Sequence, residues 1–498
     1  MFTTNYKNKR SSPVYILKNK FYLCPKIINA TTNYMKEHED SKEDLKAQEE
    51  NEQQNEHLMS RRKALKLLAV GSAAIVGGYY TLKGEDLWGE TLPAALQKVE
   101  NGKMATRKDK TTAKGVSLLG FGCMRFPTKG REIDEEATRQ LIDYAYKHGV
   151  NYFDTAYPYH GGKSETMIGK ILKSYPRASF NLADKMPTWE ISSLQKAKDI
   201  FQEQLNKCQV TYFDYYLLHA LGSKDDFQKK YIDMGVLDYL RGEKKAGRIR
   251  HLGFSFHGSA DFFDYLVENQ QWDFVQIQYN YIDVNDAQQQ SGRLLNALAK
   301  KKIQAVIMEP LKGGSLATLN KGCVSRLEAK APGKSAASWA LRYAATPANV
   351  LTVLSGMSQL DQVVDNVNTM TNFKPISSGE NSFLLGIATA YKENRPIGCT
   401  TCRYCMPCPY GVAIPDIFMV YNDCVADLDL PNPKGKRDSE YNRKKRKFMG
   451  MYNNKIAKSA QADHCIACGK CKPKCTQRLD IPREMQRINS LVKELQKK

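Results

Sequence analysis

The chain has 498 residues, too many for one ordinary domain and enough for a large barrel plus a smaller module. Its apolar share of 42 % is that of a globular protein and excludes a chain that is disordered throughout. The net charge of +21 is concentrated rather than spread: 434–447 alone holds eight Lys or Arg against Asp438 and Glu440, and no nucleic-acid-binding motif accompanies it. Such a run reads as a solvated face or loop, or as a docking patch for an acidic redox partner.

Residues 1–59 read as an N-terminal extension, and 36–57 hold too few apolar residues to bury a core. Ser60-Arg61-Arg62-Lys63-Ala64-Leu65-Lys66 follows, and then an apolar stretch from Leu67 to Leu82. Paired arginines ahead of a short apolar run resemble a twin-arginine export signal, with Ala64 where Phe is usual. The expectation is therefore an exported protein, periplasmic or anchored in the inner membrane through 60–83. A cytoplasmic protein, with this segment an ordinary core helix, is the alternative. A linker over 84–114 leads to the next domain.

From Gly115 onward, short apolar runs alternate with longer amphipathic stretches. Strands are expected at 116–121, 151–154, 180–185, 213–219, 249–255, 274–278, 304–308 and 350–354. Helical periodicity marks 134–148, 164–173, 192–207, 234–246, 260–268, 293–301, 334–345 and 360–369. Eight strands alternating with eight helices over about 250 residues is the pattern of a closed (β/α)8 TIM barrel, here 115–375. A doubly wound sheet would want a G-x-G-x-x-G turn after its first strand, and none is present.

Barrel chemistry sits at the C-terminal ends of strands. Asp154 closes Tyr152-Phe153-Asp154-Thr155-Ala156, with Tyr159 five residues later; Lys185 closes the third strand and His219 the fourth. Reducing a carbonyl with a hydride leaves an alkoxide that needs a proton, and a free tyrosine, pKa near 10, is a reluctant donor. A nearby ammonium, Lys185 paired with Asp154, would make Tyr159 a better acid, and His219 would orient and polarise the carbonyl. The D-T-A-x-x-Y run, the strand-end Lys and the L-L-H run resemble the active-site motifs of the aldo/keto reductase family, and the resemblance covers roughly Gly115 to Thr371. It implies the same four roles, a nicotinamide cofactor and a small carbonyl or alcohol substrate.

The resemblance also implies a cofactor groove across the barrel top. Gly122 and Ser255 stand at strand ends, with Gly253-Phe254-Ser255 similar to the family's loop after strand five and Phe256 where Asn is common. Gln276 matches its carboxamide-binding Gln. Pro310-Leu311-Lys312-Gly313-Gly314 resembles the loop over the pyrophosphate, so Leu311 and Gly313 are candidates, and Met308 replaces a stacking aromatic. Gly356, Gln362 and Asn366 resemble the adenosine site. Many relatives carry Lys and Arg where Gly356 and Gln362 stand, so NADH is expected to serve at least as well as NADPH.

A linker or helix over 376–398 leads to the C-terminal 399–498, where eight of the chain's 13 cysteines lie. Cys399, Cys402, Cys405 and Cys408 are spaced by two residues each, and Pro409 follows. Cys465, Cys468, Cys471 and Cys475 fit the bacterial ferredoxin run, in which the fourth cysteine serves the other cluster. Eight thiolates match two [4Fe–4S] clusters, with Cys475 joining the first three and Cys408 joining Cys465, Cys468 and Cys471. Two four-cysteine zinc sites are the alternative. Ile414-Pro415 and Ile481-Pro482 follow their motifs at similar distance, as in a duplicated ferredoxin-like module, and the whole resembles the Fe–S tail of a bacterial subgroup of aldo/keto reductases. Cys24, Cys123, Cys208, Cys323 and Cys424 are scattered and read as buried apolar side chains or unpaired thiols. Two functions follow: a nicotinamide-dependent oxidoreductase carrying clusters, or an electron-transfer protein whose barrel docks a redox partner.

Overall fold

The computed structural model describes residues 102–110, 115–371, 373–394 and 396–497. The expected extension, the twin-arginine-type segment at 60–83, Cys24 and most of the 84–114 linker lie outside the described residues. No helix among the described residues is long and apolar enough to cross a membrane.

Eight parallel strands close a barrel in chain order. They are β1 (Leu119–Gly122), β2 (Tyr152–Asp154), β3 (Asn181–Pro187), β4 (Phe213–Leu221), β5 (Ile249–Phe256), β6 (Phe274–Gln278), β7 (Gln304–Met308) and β8 (Val350–Ser355). Closure comes where Val353 of β8 pairs with Leu119 of β1. The expected first strand is broken at Leu118: Gly115–Ser117 pairs antiparallel with Thr106–Lys108, and β1 starts only afterwards. Part of the expected linker thus belongs to the barrel floor. Asp109 there is buried, accepts a hydrogen bond from the Tyr215 hydroxyl and faces His251 at 3.1 Å.

Two apolar layers hold the barrel. Tyr152, Ala183, Leu217, Phe274, Val306 and Leu351 fill the lumen, and a larger core lies between strands and helices. The helices are α1 (Glu135–Lys147), α2 (Ser164–Leu172), α3 (Leu194–Cys208), α4 (Val236–Lys245), α5 (Ala260–Asn269), α6 (Ser291–Lys300), α7 (Lys321–Lys330), α8 (Ala336–Ala345) and α9 (Leu360–Met370). The periodicity marks all of these except α7. Asp134, Ser193, Ser259 and Ser335 cap the helices that follow them, each bond contributing about 1 kcal/mol. Gly253 lets β5 and β6 approach: a Cβ there would lie 2.3 Å from the Phe274 carbonyl oxygen.

After the barrel, α10 (Ser378–Glu393) packs on α7, and its Ser377–Glu380 capping box fixes its start. The C-terminal module contains α11 (Ile414–Ala426), α12 (Ser439–Lys455) and α13 (Ile481–Gln496) around its own core of Ile417, Phe418, Phe448, Tyr452, Met485 and Ile488. No strand occurs among its described residues. The duplication is visible as two cysteine loops, each running into a helix that begins Ile-Pro, where proline costs no hydrogen bond. Much of the basic run lies on α12, where Arg443 and Lys447 bond to Asp429 and Lys444 pairs with Glu440. Cys123, Cys208, Cys323 and Cys424 are buried, as expected of apolar thiols.

Candidate active site

The ends of β2 and β3 place Asp154 beside Lys185. The Lys185 ammonium donates to Asp154 Oδ1 and to the Thr155 carbonyl, each at 2.6 Å. Both side chains are buried, which an ammonium tolerates only with such partners. Burial pushes the Asp154 carboxyl up, and Lys185 partly opposes it. Tyr159 follows β2 in a short turn, its ring centre 5.4 Å from Lys185 Nζ. His219, near the end of β4, meets the Tyr159 ring edge-on at 6.2 Å. The four expected catalytic residues therefore converge.

Burial pushes the Tyr159 phenol well above its ordinary value, and Tyr404, Asp154, Cys123 and Glu309 act the same way. Tyr159 thus holds its proton. His219 is driven well below 6.5 by burial, then by Lys185 and His257, so its ring is neutral.

The four line a cavity of about 280 Å³. Gly122, Ser255 and Gln276 line it from β1, β5 and β6, and Leu311, Gly313, Gly356 and Gln362 continue its wall. Ser255 sits inside β5 rather than in a loop, and its hydroxyl accepts from the Ala220 amide at 2.7 Å. Gln276 Oε1 is buried without a hydrogen-bond partner, a vacancy suited to an amide N–H. Asn366 departs from expectation. It is 3 % exposed and bonds to Ser355 Oγ at 3.0 Å, so it supports the wall from behind.

The C-terminal module covers this groove. A Cβ on Gly313 would stand 2.6 Å from Thr400 Cα, so the loop after β7 tolerates only glycine at that point. Lys312 is buried, bonded to Asp283 at 2.7 Å and to Gln477 at 3.3 Å. Arg125 donates to the Thr400 carbonyl at 2.6 Å, and Arg478 reaches the Gln288 carbonyl. Tyr404 brings its hydroxyl to 3.1 Å from His219 Nε2. Trp189, 45 % exposed, lies 5.0 Å from the His219 ring. Glu309, in the left-handed region at φ 56, also lines the groove. Sequence reasoning misses Arg125, Trp189, Glu309 and Tyr404. The one available signal is that Tyr404 stands between Cys402 and Cys405.

Thiols of the two motifs lie within electrostatic reach of one another. Neighbouring thiols act on Cys399 from Cys402 and Cys475, and on Cys405 from Cys402, Cys399 and Cys475. Cys471 feels Cys465, Cys468 and Cys408. Among the described residues, no group of three or more His, Cys, Asp or Glu is arranged so that it could hold a metal ion.

A closed parallel barrel with a buried Lys–Asp pair, a protonated tyrosine and a neutral histidine at its strand ends defines a (β/α)8-barrel enzyme. The model of the aldo/keto reductase family matches residues 118–382, more than half of the chain. The chain belongs to that family, and so to the NAD(P)H-dependent oxidoreductases. An L-galactose dehydrogenase of Arabidopsis thaliana is 26 % identical over 299 residues, 55 % of this chain and 90 % of that protein. An NADH-specific methylglyoxal reductase of Escherichia coli is 25 % identical over 226 residues, covering 41 % of this chain and 67 % of the relative. Among solved structures, an aldo-keto reductase from Bacillus halodurans in its holo form is 25 % identical, with a TM-score of 0.48, over 57 % of this chain and 96 % of its own.

Proposed function

We propose that the protein interconverts a small carbonyl and its alcohol with NAD(H), and that its C-terminal module carries two [4Fe–4S] clusters. The observation that carries the first part is the convergence of Asp154, Lys185, Tyr159 and His219 on a groove where Gln276 Oε1 waits for a donor. Relatives named as an L-galactose dehydrogenase and a methylglyoxal reductase agree with a small carbonyl or alcohol substrate.

The bound nicotinamide supplies or takes up the hydride. Gln276, Ser255, Leu311 and Gly313 would hold it along the groove, with Gly122 and Gly356 allowing close approach. The neutral His219 ring orients the substrate oxygen, Tyr159 delivers its proton to that oxygen, and the Lys185–Asp154 pair stabilises the phenolate left behind. An ammonium already in place needs no reorganisation when that charge appears.

Eight cysteines match two cubes in number, and the electrostatic influence of Cys475 on Cys405 and of Cys408 on Cys471 agrees with the cross-paired sets of a two-cluster ferredoxin run, Cys399, Cys402 and Cys405 with Cys475 and Cys465, Cys468 and Cys471 with Cys408. A single zinc would draw four sulfurs to about 2.3 Å from one centre, whereas a cube spreads them around a larger body. Such clusters would supply single electrons or hold the two cysteine loops together. An acidic redox partner would meet the basic run of 434–447. Export through 60–83, to the periplasm or to a membrane anchor, belongs to the same proposal.

Cofactor choice tests the groove. Among its described lining residues the cations are Lys185, held by Asp154, and Arg125, held by Thr400. A charged hydrogen bond contributes about 1.5–3 kcal/mol, so lacking two at a 2′-phosphate removes a preference of about 100-fold or more. NADH is expected to bind at least as tightly as NADPH and to support turnover of methylglyoxal, and Gln362→Arg should shift preference toward NADPH. Titration of both reduced cofactors checks this. A clear NADPH preference would show that another cation grips the phosphate, and absence of binding by either would refute the groove.

A further inference from the structure

Two cavities meet at the barrel top. The smaller holds Asp154, Lys185 and His219. The larger, about 1480 Å³, opens between barrel and module, is lined by Trp189 and Thr128, and does not reach His219. Tyr159 and Tyr404 are among the residues that line both, so the two cavities meet along their rings.

The Tyr404 hydroxyl stands 3.1 Å from His219 Nε2, and Tyr159, whose ring meets His219 edge-on, lines the same groove. His219 and Tyr159 are the two groups that must converge on a substrate oxygen if the proposed function holds. A hydroxyl bonded to His219 Nε2 therefore takes a place that oxygen needs. The Tyr404 ring packs against Trp189 at 6.0 Å and against His219 at 6.1 Å, so it is seated among the site's own aromatics.

We propose that Tyr404 is a built-in occupant of the substrate-oxygen position and thereby a specificity-determining residue. A substrate must regain with His219 and Tyr159 the hydrogen bonding that the phenol gives up. The class selected is carbonyls small enough to enter a groove of about 280 Å³ beside the displaced ring. The displaced ring has room in the large cavity, on the side where Trp189 is half exposed. No covalent step involves Tyr404; its hydroxyl only trades partners.

This inference rests on the proposed function, and the experiment separates the two. Steady-state kinetics with NADH and methylglyoxal are measured on the full chain for the wild type, Tyr404→Phe, Tyr404→Leu and Tyr159→Phe. Tyr404→Phe keeps the ring and removes the competing hydroxyl. It is expected to lower KM for methylglyoxal about tenfold, the worth of one or two neutral hydrogen bonds. Binding of NADH should be unchanged, and Tyr404→Leu should move KM in the same direction. Turnover that appears only in the Tyr404 variants would also support displacement. A KM equal to or above that of the wild type, or no turnover in any Tyr404 variant, overturns the inference. Full activity in Tyr159→Phe would instead overturn the function itself.

Discussion

Tyr159→Phe is expected to lower carbonyl reduction by at least about 10²-fold, the usual scale for loss of a general acid. The phenol stands in the groove beside Lys185 and His219, where it can hand a proton to a substrate oxygen. Burial and its neighbours hold that proton on Tyr159 well above the ordinary tyrosine range, so the acid form persists at neutral and mildly alkaline pH. Removing the hydroxyl leaves the alkoxide without a donor, while Gln276, Ser255 and the loop after β7 remain for the nucleotide. Turnover and NADH binding, measured side by side, check this. Lost turnover with intact binding is the expected pair, and near-normal turnover would remove Tyr159 from its role.

The second large effect concerns the module. Anaerobically prepared protein is expected to contain about eight iron atoms per chain, as two four-iron cubes. Cys475→Ala should halve that figure, although Cys475 lies far in sequence from Cys399, Cys402 and Cys405, whose set it completes in the proposed pairing. Iron and acid-labile sulfide assays, with an absorption spectrum, check both statements. Stoichiometric zinc without cluster absorbance would contradict them, and about four iron atoms in the wild type would leave one set incompletely used.

Much of the barrel is legible in the sequence because its signals are local. A strand buried on both faces is a short apolar run, and a helix packed on it shows its period within a dozen residues. Hence all eight strands and most helices fall where the pattern puts them. The break at Leu118 escaped because Val116 and Leu119 are equally apolar, and only the return of Thr106–Lys108 separates them. Asp154, Lys185 and His219 were legible because a polar residue at the end of an apolar run is conspicuous. Asn366 misled for the opposite reason: a polar residue on a helix near the groove can as well brace Ser355. How far burial raises the Tyr159 phenol is not legible, because sequence shows which groups exist and not how deeply the fold places them. Tyr404 is marked in the sequence only by its position between Cys402 and Cys405, since its place depends on how the module docks, more than 180 residues from His219.

The central claim is that hydride passes directly between nicotinamide and substrate at the barrel site. The most direct test supplies NADH carrying deuterium at the transferred position of its ring, with methylglyoxal in ordinary water, and weighs the alcohol produced. One carbon-bound deuterium per product molecule is the predicted result. Alcohol whose new carbon-bound hydrogen comes from water would contradict it and point to electrons delivered singly through the module.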